Sequence, residues 1–214
     1  EQAVAAGSQS DSVPVYGQLS GRVQVQVVTF NYTTLAAAAS PSSIYFNGDL
    51  THYVDVENKN DLQVDDLLSL DLPAFFADRL AGELSLEGDR LAVPIPSFMP
   101  PLKLKPVISR KYIATWYKAA QAIAEAGHVL LLGYRVDPRD TFFCDMLRAN
   151  PTAKITMVDS DMEPAARDLC RALQLNPNRY TLTRIQNHEA RVYGNRVTVI
   201  SAGLDEIDIS EWVR

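Results

Sequence analysis

A chain of 214 residues can bury a substantial core, and 47% hydrophobic with 21% charged residues is an ordinary globular composition, neither disordered nor fibrous. The net charge of -6 excludes a protein that holds nucleic acid by phosphate neutralisation, which needs clustered Lys and Arg. Two cysteines, Cys144 and Cys170, lack C-x-x-C spacing and read as buried thiols, and no apolar run approaches the ~18 residues of a membrane span.

Residues 1–20, rich in Ser, Gln, Gly and Ala and without periodicity, are expected to form a flexible N-terminal arm, with 21–214 as one domain. An opening Glu1 in place of Met is expected of a processed or excised chain, and the lack of a basic-then-apolar leader points to a reducing, cytoplasmic setting. "RVQVQVVTF" (22–30) alternates and then turns continuously apolar, as a strand entering a covered sheet does. "SIYFNG" (43–48) reads as a second short strand closed by Gly48, and "TTLAAAAS" between them allows two helical turns at most. From 49 to 71, seven carboxylates (Asp49, Asp55, Glu57, Asp61, Asp65, Asp66 and Asp71) stand against Lys59 alone, which predicts a solvated acidic excursion. A short helix stopped by Gly82 and a hairpin turning at Gly88 and Asp89 follow.

The second half is more regular. Ile113, Trp116, Tyr117, Ala120, Ile123 and Ala124 recur at helical spacing up to a stop at Gly127, so Trp116 and Tyr117 are expected in the core. "HVLLLGY" (128–134) is a central parallel strand by length and composition. A helix capped by Asp140 then carries Phe142 and Phe143 inward, "AKITMVDSD" (153–161) is a strand, and "EPAARDLCRALQL" is a helix with Pro164 in its first turn. "RYTLTRI" and "RVTVIS" supply two last strands. This alternation predicts an α/β fold, a Rossmann-like parallel sheet with helices on both faces.

Ligands in such sheets bind at the carboxyl ends of the strands. The residues there are Asn31 and Tyr32, then Asn47 and Gly48, then Gly133, Tyr134 and Arg135, then Asp159 and Ser160. Together with their flanks, "TFNYTT", "YFNGDL", "PPLKLK", "TWYKAAQAIAEAGHVLLLGYRVDPRD" and "ITMVDSD", this ordered set resembles the sirtuin-like (silent information regulator-like) family, in particular its bacterial and phage branch of NAD-consuming domains in antiviral defence. The resemblance runs from about residue 23 to 161. It implies NAD as ligand or substrate, with Asn31 beside the nicotinamide ribose placing the attacking water, and Tyr32 and Gly48 lining the same pocket. Gly133, Tyr134 and Arg135 would lie against the phosphates and adenosine ribose, Asp140 matches an Asp of the family, and Asp159 would take a ribose hydroxyl.

The chain departs from the family at positions that matter. Asn47 replaces the histidine expected to act as base, Thr33 replaces an Asp, Arg135 replaces a Ser, and no strand with a Gly-rich turn precedes Asn31. His52, five residues beyond Asn47, is the candidate substitute base, against a plain reading as a solvated residue. Asn31 also reads as a capping amide and Asn47 as a turn residue. Lys103, Lys105, Arg110 and Lys111 form a basic cluster that could meet a diphosphate or simply be solvated. No histidine pair has ligand spacing, so no metal is expected, and the absence of cysteine before Cys144 argues against a zinc-bearing deacetylase.

The sequence therefore predicts a divergent NAD-nucleotide-binding domain, a pseudoenzyme acting in binding, regulation or assembly. The alternative is a nicotinamide-releasing NAD hydrolase of antiphage defence, completed by further N-terminal residues or a partner subunit. A third is a structural interaction protein with no ligand. A homo-oligomer or a subunit of a larger complex is expected, with no nucleic-acid or membrane partner.

Overall fold

The computed structural model describes residues 14–19, 24–33, 36–37, 40–55, 61–63, 94–98 and 110–212. In chain order the elements are α1 (Pro14–Leu19), β1 (Val28–Thr29), β2 (Ile44–Tyr45), β3 (Gly48–Asp55), β4 (Asp61–Gln63), β5 (Pro94–Phe98), α2 (Arg110–Glu125) and β6 (His128–Leu132). There follow α3 (Thr141–Ala149), β7 (Lys154–Val158), α4 (Met162–Ala172), β8 (Thr181–Ile185), β9 (His188–Tyr193) and β10 (Val197–Ile200).

The main sheet has the order β6-β7-β10-β9-β8. β6 and β10 both run parallel to β7, from His128↔Lys154 to Leu132↔Val158 on one side and from Val197↔Ile155 to Ile200↔Val158 on the other. The shared strand β7 is buried from Ile155 to Val158 because both of its faces are covered. Ile155 and Met157, with Val197 and Val199, meet Trp116, Ile123, Leu147 and Leu169 of the long helices. Val158 and Ile200 point the other way and meet Leu19 of α1, Val25, Val27 and the C-terminal Ile207 and Ile209. The α/β, Rossmann-like architecture is as expected.

Beyond β10 the sheet turns antiparallel, through a strand that the sequence reading did not separate. β8 and β9 form a hairpin whose turn residues, Gln186 and Asn187, have φ of 49° and 71°. Both sit in the left-handed region that such tight turns require, but without the glycine that usually marks it in a sequence.

Five local expectations are corrected. The stretch assigned to a flexible arm contains α1, where Leu19 is buried and the Gln18 amide donates to Ile207 O at 3.2 Å and accepts from Ile209 N at 2.7 Å. Gly48 opens a strand rather than closing one. With β4 and β5, β3 forms a three-stranded antiparallel sheet inside the segment read as a solvated excursion, and Asp49 is buried. On α2 the buried stripe is Tyr112, Trp116, Ala119 and Ile123, one position off the predicted one, so Ile113 and Tyr117 are 58% and 69% exposed. Phe142 is at the surface too, against the Trp116 ring at 5.1 Å.

The expected helix up to Gly82, the turn at Gly88 and Asp89, and Lys103 and Lys105 lie outside the described residues. Among those described, no helix is long and apolar enough to cross a membrane.

Candidate functional site

β1 and β2 run parallel with Val28 opposite Ile44 and Thr29 opposite Tyr45, so the chain leaves both strands side by side. Phe30 and Phe46, the first residues beyond them, meet at 4.9 Å between ring centroids. Phe30 also stacks on Tyr134 at 3.9 Å and sets its edge on Phe143 at 4.8 Å. This aromatic floor ties the ends of three strands together, which puts Asn31 and Tyr32, Asn47 and Gly48, and Gly133 to Arg135 along one carboxyl edge. The one sequence signal for Phe30 in this role is its position at the end of the apolar run, one residue before Asn31.

Above the floor the three groups differ. Asn31 is exposed, and its backbone N–H donates to Thr29 Oγ1 at 3.1 Å. Tyr32 is half-buried, and burial raises its phenol above the ordinary range. Asn47 is 3% exposed, next to Phe46, whose carbonyl accepts the Trp116 indole N–H at 2.9 Å and so fastens this turn to α2.

His52 is no solvated loop residue. It lies in β3 with Nδ1 2.6 Å from Asp49 Oδ1, and both side chains are largely shielded. A carboxylate on Nδ1 fixes the ring's orientation. Asp49, expected among the solvated acids, is instead buried against His52, and nothing in the spacing reveals this pairing.

The third group follows β6 and β7. Gly133 has φ +60° and donates its N–H to Val158 O at 3.2 Å, one step past the regular ladder. A Cβ there would lie 2.9 Å from Leu204 Cδ1, so the missing side chain makes room for packing. Burial, reinforced by Asp140, raises the Tyr134 phenol well above its usual range. Asp140 is buried and caps α3, as expected, accepting the Phe143 N–H at 3.3 Å.

Arg135 lies at 3.4 Å from both Asp159 Oδ1 and Asp161 Oδ2, and Asp159 Oδ1 also accepts the Asp161 N–H at 2.8 Å. Beside it, between the 135–139 loop and Asp168 and Arg171 of α4, is a depression of about 480 Å³. A carboxylate and a half-exposed guanidinium at adjacent strand ends suit the ribose and phosphates of a nucleotide.

His128 and His188 stay away from this edge in role: His128 Nε2 bonds Thr156 Oγ1 at 2.8 Å, and His188 Nε2 lies 3.2 Å from Glu206 O. Among the described residues, no group of three or more His, Cys, Asp and Glu side chains is placed to hold a metal ion.

No family model matches the chain, and no curated protein matches it. Among solved structures, one that addresses sirtuin substrate affinity superposes with a TM-score of 0.47 at 17% identity, covering 68% of this chain and 58% of that one. A second, on the mechanism and regulation of Sir2 enzymes, gives 0.44 at 15%, covering 69% and 56%. A third, a Sir2 in complex with an inhibitor, 2'-O-acetyl-ADP-ribose and a deacetylated peptide, gives 0.47 at 16%, covering 74% and 66%. This chain thus spans less than two thirds of the length of each.

Proposed function

We propose that this chain is a divergent sirtuin-like, NAD-nucleotide-binding domain with impaired catalysis, acting in binding, regulation or assembly. One observation carries the nucleotide reading. The parallel pair β6 and β7 ends in register at Leu132 and Val158, and the residues that emerge there are Gly133, Tyr134, Arg135, Asp159 and Asp161. Brought to one edge, they offer an acceptor for ribose hydroxyls and a donor fork for phosphate.

Cleaving the nicotinamide glycosidic bond passes through an oxocarbenium-like state, and the attacking water must shed a proton. An amide at position 47 cannot take that proton, and losing a positioned base costs roughly 100- to 10,000-fold in rate. Buried at 3% exposure, Asn47 serves the turn into β3.

The test is to incubate the full-length protein with NAD, follow its thermal stability, and measure nicotinamide release. Stabilisation without rapid release is the expected result. Fast turnover abolished by Asn31→Ala would overturn the impairment.

A second reading, a nicotinamide-releasing NAD hydrolase of antiphage defence, is favoured by the Asp49–His52 contact at 2.6 Å, which orients an imidazole five residues beyond Asn47. Under this reading His52→Ala removes nicotinamide release and leaves NAD binding in place. The same assay separates the two readings.

A further inference from the structure

We propose that Arg135 is the diphosphate-binding cation of this site, and that Asp159 and Asp161 hold it off the ligand until a ribose engages Asp159. The inference rests on the nucleotide reading above and adds a residue-level device to it.

Three observations support it. First, the contacts are long: 3.4 Å to each carboxylate, where a charge-assisted N–H···O bond is ordinarily about 2.7–2.9 Å. The guanidinium is held loosely, its side chain 40% exposed. Second, Asp159 is the better sheltered acid, 14% exposed, and already accepts the Asp161 N–H, so a ribose hydroxyl arriving at Asp159 competes directly with Arg135. Asp161, 65% exposed, is screened by water and cannot hold the cation alone.

Third, there is room to move. The depression of about 480 Å³ is lined by Arg135 itself and, from α4, by Asp168 and Arg171, which lie 3.8 Å apart. Swung off the carboxylates, the planar fork presents its donors to two phosphate oxygens at once, which a lysine could not do. The ligand class is then a nucleoside diphosphate in which ribose and diphosphate act together, the ribose releasing the cation that the diphosphate uses.

The consequence is a difference in sign between two ligands. Adenosine gains nothing from Arg135 and competes with it for Asp159. ADP-ribose needs it. Titrating the full chain with each ligand by calorimetry, Arg135→Ala is expected to weaken ADP-ribose about tenfold or more and to strengthen adenosine, since a charge-assisted phosphate contact is lost in one case and a competitor removed in the other. Arg135→Lys, which keeps the charge but not the fork, is expected to recover only part of the ADP-ribose affinity. Raised salt should weaken ADP-ribose binding to the wild type more than to Arg135→Ala.

Equal weakening of both ligands by Arg135→Ala would overturn the inference, because it would make Arg135 a structural strut of the strand end. Undiminished ADP-ribose binding by that variant would overturn it as well. Both results leave the nucleotide reading standing. A wild-type chain that binds neither ligand at millimolar concentration would sink that reading and this inference with it.

Discussion

Asp49 and His52 touch at 2.6 Å although both belong to one β-strand, where residues three apart face opposite sides. The pairing of β3 with β5 shows how: the register shifts between Gly48 and Tyr53, and that irregularity re-aims the side chains between them. Asp49 is 5% exposed, so removing its partner leaves a buried carboxylate with fewer donors. Asp49→Ala and His52→Ala should each destabilise by about 1–3 kcal/mol, with a coupling of about 1 kcal/mol or more in a double-mutant cycle. Urea denaturation of the four proteins measures it, and strict additivity would mean that the contact does not form in solution.

Gly133 and Gly194 make a matched pair for separating backbone strain from packing. Their φ angles are +60° and +62°, but a Cβ at Gly133 would meet Leu204 Cδ1 at 2.9 Å, whereas one at Gly194 meets nothing within 4 Å. Gly194→Ala should cost the left-handed penalty alone, about 1–2 kcal/mol. Gly133→Ala should cost that plus the displacement of the Leu204 methyl, and the excess should vanish when both are compared in a Leu204→Ala background. Chemical denaturation midpoints provide the comparison.

Asn150 closes two elements at once. Its side-chain amide donates to the carbonyls of Ile123, Ala124 and Ala126 at 2.8, 3.1 and 2.9 Å, capping the end of α2 from outside, and its oxygen accepts from Thr152 Oγ1 and Ala153 N. Asn150→Ala should destabilise the chain by about 2–4 kcal/mol by stranding buried carbonyls. Asn150→Asp should be at least as harmful, because an acceptor would then face carbonyl oxygens. A melting curve of each variant tests the order.

How far the sequence could be read depended on whether periodicity was unambiguous. The runs at His128–Leu132 and Lys154–Val158 are mostly apolar, short and bounded, and both are parallel strands of the sheet, although β6, expected at its centre, lies at the edge of the described strands. On α2 apolar residues at 112, 116, 119 and 123 and at 113, 117, 120 and 124 form two stripes offset by one position, and only packing decides which faces the core. The edge residues from Gly133 to Asp159 were legible because a parallel sheet fixes where its strand ends lie. The Asp49–His52 pair was not, since it depends on a strand irregularity, and a segment so rich in carboxylates reads as solvated until a partner for a buried one is seen.

Cys144 and Cys170 should be inert in the native protein. Both are buried, and burial pushes the Cys144 thiol up to about 11 and raises that of Cys170. A shift of that size lowers the Cys144 thiolate fraction about 100-fold at a given pH, before access is considered. A thiol-reactive dye at mildly alkaline pH should label neither residue until denaturant is added, and then both. Rapid labelling of the folded chain would show that the helices carrying them open far more often than their packing allows.

His128 sets a pH dependence of stability whose sign follows from its surroundings. Burial, with Lys154 nearby, holds its imidazole below the ordinary 6.5. Well above pH 6.5 the ring is neutral in both states and its titration contributes nothing. As the pH falls through that value, the unfolded chain takes up a proton that the folded chain resists. The unfolded state then binds more protons, and stability declines with falling pH until the folded-state value is also passed, where the loss levels off. His128→Gln can still bond Thr156 Oγ1 but cannot titrate, so its stability should fall less than the wild type's between about pH 7 and about pH 5. Denaturation midpoints across that range supply the measurement, and parallel profiles for the two proteins would place the acid sensitivity elsewhere in the chain.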